Sequence, residues 1–247
     1  MTISTPIPGP LEPARFIDRP NRFVVVCELE STGEVVEAHL RHRGRLETLL
    51  VPGRRLWLSP ANDPARRTAW TALLGEDRKG AGLVSLDTTL PNRLIRRAIE
   101  VGGLPDLDGW RLERPEWRHG SSRIDFLLSG PDGRRLALEV KSVTWVEDGV
   151  ALFPDAPTTR GVRHLRELAA LARQDGWEAA ICFVVQRNDA RELGIAASID
   201  PVFAETLDDA SRAGVRVFAR RCEVGLEEVR LGPPVPRAGA QRARAGA

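Results

Sequence analysis

Over the first third of the chain, apolar and polar residues alternate in short bursts broken by turn residues. RFVVVCELE (22–30), EVVEAHL (34–40) and ETLLVPGRRLWLS (47–59) are such bursts, with Gly33, Gly44 and Pro52-Gly53 punctuating them. Short strands separated by glycine and proline predict a small barrel or sandwich. AWTALL and GLVSLDT carry the same pattern to about residue 88.

The period then changes. In LPNRLIRRAIEVG, Leu94, Ile95, Ala98 and Ile99 make one apolar stripe, Pro91 suits a first helical turn, and Gly102-Gly103 stop the helix. A loop, LPDLDGW, follows, and a domain boundary is expected between residues 85 and 110. RIDFLLSGPDGRRLALEVKS predicts a hairpin over 123–144, and GVALFPD a short strand. TTRGVRHLRELAALARQDG reads as a helix with Leu165, Leu168, Ala169 and Ala172 on one face. EAAICFVVQ is an unbroken apolar run, which suits a strand covered on both faces. A helix near 202–213 and a strand GVRVFARR complete an α/β domain with a mixed sheet.

Composition narrows function little. The 247 residues are 42% hydrophobic and 28% charged, and the net charge of +2 gives no global attraction to nucleic acid. Cys27, Cys182 and Cys222 form no zinc spacing, and Cys182 reads as a small buried hydrophobe. The N-terminus lacks the pattern of a signal peptide and no apolar run approaches membrane-spanning length, so a cytoplasmic protein without a membrane partner is expected. The six Trp are scattered and suggest no stacking array.

The hairpin carries the candidate chemistry. Lysine occurs only at positions 79 and 141 in a chain that otherwise uses arginine. Glu139 and Lys141 are two apart on a strand and share a face. With a turn centred on Asp132, Asp125 falls opposite Glu139, bringing two carboxylates close enough to share one hard cation. Two carboxylates beside an ammonium suit metal-assisted phosphodiester hydrolysis, with Mg²⁺, or Mn²⁺ in its place, as cofactor. Lysine could orient or deprotonate a water, which arginine cannot do. An ordinary Glu–Lys pair on a half-solvated strand would give the same pattern, and these residues alone leave both possibilities open.

The segments ERPEWRHGSSRIDFLL, LEVKSVTWVEDGVALFPDAPTTRGVRHLREL and AAICFVVQRNDA resemble the sugar fermentation stimulation protein A family. The resemblance implies an OB-like β-barrel over 1–88, preceded by a disordered leader. It implies a restriction-nuclease-like (PD-(D/E)XK) α/β domain over 89–231, and leaves a basic low-complexity tail at 232–247. It implies association with DNA, with RNA as an alternative, and maps the nuclease pattern onto Asp125, Glu139 and Lys141. It also offers Glu116 as a further carboxylate, a secondary ligand or base, and Arg160 and His164 as a pair on one helix face, expected to contact nucleic acid. Where the family carries Pro-Asn-Thr-Gly, this chain reads Arg41-His42-Arg43-Gly44, and Asp87 replaces a common Asn. Arg41, Arg43 and Arg45 could form a phosphate-binding edge, or a solvated loop at a barrel rim. The expected function is DNA binding with a Mg²⁺-dependent phosphodiesterase site, linked by the family to sugar metabolism. The alternative is a non-enzymatic DNA-binding regulator that keeps the fold.

Overall fold

A computed structural model describes residues 2–42, 44–61, 63, 65–77, 80, 82–120 and 122–238; Arg43, Lys79 and the end of the tail lie outside them. β1 (Ser4–Pro6) precedes the barrel and joins a different sheet. β2 (Glu12–Asn21), β3 (Val24–Leu29), β4 (Val35–Leu40), β5 (Arg55–Pro60) and β6 (Trp70–Glu76) pair in the order β4-β3-β2-β5-β6. A parallel contact from β4 to β6, Ala38 with Trp70 and Leu40 with Ala72, closes the ring. The two-residue alternation in the sequence sends Ala14, Phe16, Val25, Cys27, Val36, Ala38, Leu56 and Leu58 inward to fill it. Burial raises the Cys27 thiol to about 12, as expected of an inert core cysteine.

β7 (Leu83–Ser85) extends β6 and carries the chain out of the barrel. Its Ser85 N–H donates to the Gln186 carbonyl at 3.0 Å, which ties the barrel to the second sheet. α1 (Leu90–Glu100) buries the predicted stripe Leu94, Ile95, Ala98 and Ile99.

The second domain is built on β8 (Arg111–His119), β9 (Ser122–Ser129), β10 (Arg135–Val143), β13 (Trp177–Val185), β15 (Arg216–Val224) and β16 (Glu228–Pro234). With β1 they form one sheet, in the order β1-β16-β15-β13-β10-β9-β8. β10, β13 and β15 run parallel, and the outer pairs antiparallel. β11 (Val146–Glu147), β12 (Val150–Phe153) and β14 (Glu192–Ile195) make a small side sheet. α2 (Thr159–Ala172) and α3 (Pro201–Arg212) cover one face of the large sheet and α1 the other. Along β13, Ala179, Ile181 and Phe183 enter the first core, while Ala180, Cys182 and Val184 enter the second. That two-sided burial is why the strand reads as an unbroken apolar run. The α/β class, the barrel and the mixed sheet agree with the sequence reading.

Three expectations are corrected. The leader is ordered: β1 pairs with β16, Thr5 opposite Val229. The tail from 232 continues β16 to Pro234, and beyond it Val235 and Ala238 donate to the carbonyls of Ala219 and Leu193. The Trp do form a stack, because Trp117 and Trp177 lie ring on ring with centroids 5.3 Å apart.

Candidate functional site

The hairpin register is the expected one. Arg135 pairs with Ser129 and Leu138 with Phe126, so continuing the ladder sets Asp125 opposite Glu139, and Asp132 sits in the turn with φ +61°. The ladder stops there. Ile124 packs into the α2-side core and Phe126 into the α1-side core, so the strand turns over at Asp125. Asp125 Oδ2 accepts the Val140 N–H at 2.8 Å, replacing a ladder bond, and Oδ1 accepts from Asn92 Nδ2 of α1 at 2.8 Å. Burial, reinforced by the negative charge of Glu139, raises the Asp125 carboxyl to about 6 against those two donors.

Glu139 is buried. Its Oε1 accepts from Lys141 Nζ and from His164 Nδ1, each at 2.6 Å. Burial works to raise its pKa, but the His164 bond and the Lys141 charge outweigh it and hold the carboxyl below its usual value. Its Oε2 is enclosed and has no hydrogen-bond partner. A buried carboxylate oxygen left bare costs free energy unless something positive or protic meets it.

His164 is 1% exposed and therefore cannot meet nucleic acid, which corrects the role the resemblance gave it. Arg160 Nε donates to His164 Nε2 at 3.3 Å, so the ring proton sits on Nδ1 and points at Glu139. Arg160 itself is exposed. The two are four apart and share one helix face, as expected. α2 begins where it does because Thr158 Oγ1 caps the Gly161 N–H at 3.1 Å. Gly161 is required there, since a Cβ would lie 2.8 Å from Thr158 Oγ1 and 3.1 Å from the Phe203 ring.

Glu116 is not brought to these groups. Its side chain is 62% exposed and pairs with Arg123 at 3.2 Å, so the structure gives no support to a ligand or base role. Among the described residues no cluster of three or more His, Cys, Asp and Glu could hold a metal. The donor set is two carboxylates, which suits a hard cation that keeps several of its waters.

The loop after β4 reaches the second domain. Arg41 pairs with Asp87 at 3.5 Å, so two departures from the family pattern meet each other. Asp87 also accepts from Arg93 of α1 at 3.1 Å and from the Thr89 N–H at 2.9 Å. Arg45 pairs with Glu47 at 3.7 Å and is largely exposed, and Arg43 lies outside the described residues. His42 is buried at the domain seam, accepting the Gly44 N–H on Nδ1 at 3.1 Å and meeting Thr144 Oγ1 through Nε2 at 3.3 Å. Asp155 faces this loop, so it neither caps α2 nor joins the carboxylates of the hairpin. A cavity of about 150 Å³ at the seam, lined in part by Arg45, Thr144, Trp145 and Asp155, contains neither Asp125, Glu139 nor Lys141.

Asn92 and the Val140 N–H were not assigned by sequence reasoning. The only signal for Asn92 was its agreement with the family pattern.

Known proteins share this architecture. A family model described as "Sugar fermentation stimulation protein RE domain" matches residues 89–228, and one described as "SfsA N-terminal OB domain" matches 17–86. A sugar fermentation stimulation protein homolog of Moorella thermoacetica is 46% identical over 230 residues, covering 93% of this chain and 97% of that one. Its counterpart in Shouchella clausii is 44% identical over 227 residues, covering 92% and 97%. The solved structure of Pyrococcus furiosus SfsA in complex with Ca²⁺ superimposes with a TM-score of 0.85 at 31% identity, covering 97% of this chain and 100% of that one. The chain belongs to the sugar fermentation stimulation protein family.

Proposed function

We propose that this protein binds DNA and hydrolyses phosphodiester bonds with a divalent cation held by Asp125 and Glu139. The observation that carries this reading is the bare, buried Oε2 of Glu139, on a carboxylate whose other oxygen is fixed by two donors. Burial without a partner is difficult to explain as packing and is accounted for by a cation. The Ca²⁺ named for the Pyrococcus furiosus relative supports a divalent ion here. Mg²⁺ is the expected physiological ion, with Mn²⁺ able to replace it, because the donors are hard oxygens.

A bound cation would lower the pKa of a coordinated water and neutralise phosphate charge. The protein's own residues prepare the rest. His164 holds Glu139 in one rotamer, and Arg160 fixes the His164 tautomer. Asn92 and the Val140 N–H aim the Asp125 carboxylate. Lys141 is 14% exposed and gives one of its three protons to Glu139, which leaves others for a water or a phosphate oxygen. Arg160, exposed on the same helix, is placed to meet the backbone of the nucleic acid.

The regulator reading retains one observation in its favour: the third carboxylate, Glu116, is turned away. The deciding experiment incubates the purified protein with single- and double-stranded DNA and RNA in Mg²⁺, in Mn²⁺ and in chelator. Metal-dependent cleavage that is lost in Asp125→Asn is expected. DNA binding without cleavage under any metal would establish the regulator instead.

A further inference from the structure

We infer that the end of β8 and the start of β9 form a base-stacking platform for single-stranded nucleic acid. The inference rests on the nucleic-acid reading above and narrows it to unpaired strands. Trp117 stacks on Trp177 at 5.3 Å and 21°, and on His119 at 4.8 Å and 25°, making a run of three rings. The Trp177 end is already capped, with the Arg135 guanidinium 5.9 Å from its ring centre. At the other end His119 is half-buried, and among the described residues no further ring or cation stands over it.

Exposed arginines stand beside the stack. Arg118 and Arg123 are cross-strand partners beside His119, and both are exposed, Arg123 paired with Glu116 at 3.2 Å. His119 itself pairs with Ser122, whose hydroxyl accepts from Arg163 Nε of α2 at 3.1 Å. Arg163 is exposed and adjoins His164, so the platform lies along the helix that serves the carboxylates. Rings that end in an open face, flanked by arginines, are the elements that hold unpaired bases and their phosphates. A duplex keeps its base faces covered and offers such a ring nothing to stack on.

The strand itself is peripheral. β8 is the edge of the large sheet and most of its residues are exposed; Trp117 packs in part against the α2-side core, which anchors the stack and leaves His119 as its outer ring.

The test compares wild type, His119→Ala, His119→Phe and Arg118→Ala in chelator. The probes are a fluorescent single-stranded DNA of about 12 nucleotides and the duplex of the same sequence. His119→Ala is expected to weaken single-strand binding roughly 5- to 100-fold and His119→Phe to restore it, because the stack needs a ring and not an imidazole. Arg118→Ala should weaken both probes in a salt-dependent way. Duplex affinity should be unmoved by either His119 variant. Equal single-strand affinity for wild type and His119→Ala would overturn the platform and leave DNA binding intact. A wild type that binds neither probe would overturn both the platform and the function it rests on.

Discussion

His164 Nδ1 and Glu139 Oε1 lie 2.6 Å apart, and both side chains are almost fully enclosed. A helix from one layer thus fixes a carboxylate on β10, an inner strand of the sheet it covers. Such a link earns its place if the carboxylate must present its second oxygen in a constant direction.

The first prediction follows from that bond. His164→Ala leaves Glu139 Oε1 with Lys141 alone, and should lower stability by about 1–3 kcal/mol. It should also weaken cation binding by roughly 10- to 100-fold, the usual effect of losing a group that orients a ligand. Urea unfolding and calorimetric titration with Ca²⁺ measure the two effects separately. A variant that unfolds more easily but binds Ca²⁺ as wild type would confine His164 to packing.

Asn92 is the second. Its amide opposes the burial that raises Asp125 to about 6. Removing it in Asn92→Ala should push the carboxyl higher still. Because the cation needs the ionised form, its affinity should fall about tenfold for each pH unit below the carboxyl's pKa. The pH at which that fall begins, about 6 in wild type, should move upward in the variant. Titrations across the acid range would show it, and an unshifted onset would mean Asn92 does not tune Asp125.

Much of this arrangement was legible in the sequence. The hairpin register could be found because Asp132 centres the turn and a two-residue period fixes the rest. The unbroken apolar run gave β13, and the stripe of Leu94, Ile95, Ala98 and Ile99 gave α1. β8 was not legible, because an exposed edge strand has no buried face to impose alternation. The order of the leader was hidden for a related reason: the three residues of β1 pair with β16, more than two hundred positions away, and the Ser4 carbonyl accepts from Arg97 of α1. At the site, Glu139, Lys141 and Asp125 followed from strand geometry alone. His164 could be listed from resemblance, but its duty depends on how α2 lies across the sheet, which no local pattern states.

The third prediction concerns the seam. A Cβ on Gly44 would lie 2.0 Å from Asp155 Oδ2, closer than any contact allows. Gly44→Ala should therefore cost about 1–3 kcal/mol through forced separation of the loop and Asp155. In Asp155→Ala the obstructing carboxylate is gone and only His42 Cε1, 2.7 Å from the same Cβ, remains, so Gly44→Ala added to it should cost less. A double-mutant cycle on unfolding free energies measures this coupling. Additive effects would show that the two positions do not meet.

His42 gives a pH signature. Burial, joined by the charge of Arg19 and opposed by Asp155, lowers it to about 4. The folded state thus binds its proton less readily than the unfolded chain, whose histidine titrates near 6.5. Its contribution is present above about pH 6.5 and is lost as pH falls toward 4, a change of roughly 3 kcal/mol. Asp125, raised to about 6, acts in the opposite sense: its contribution is present below its ordinary range and is lost as pH rises through 6. The comparison is therefore wild type against His42→Asn, in which the share of Asp125 cancels. The stability difference between the two should shift in favour of His42→Asn as the solution is acidified from pH 7 to 4. A constant difference would rule out a neutral, buried imidazole at the seam.

The last prediction returns to Lys141, the lysine in a chain that writes its basic positions as arginine. Its ammonium stands 2.6 Å from Glu139 and is 14% exposed, so there is little room around it. Lys141→Arg keeps the positive charge and should leave DNA affinity nearly unchanged, because affinity comes from distributed phosphate contacts. The guanidinium is broader, planar and cannot give up a proton at accessible pH. If Lys141 positions or deprotonates the attacking water, cleavage should fall by roughly 10²–10⁴-fold. Binding and metal-dependent cleavage measured side by side on wild type, Lys141→Arg and Asp125→Asn separate the cases. Lys141→Arg and Asp125→Asn should both bind and fail to cut, the second because a carboxylate is missing and the first because only the charge was kept. Full cleavage by Lys141→Arg would reduce Lys141 to a counter-charge for Glu139, a role that arginine fills equally well.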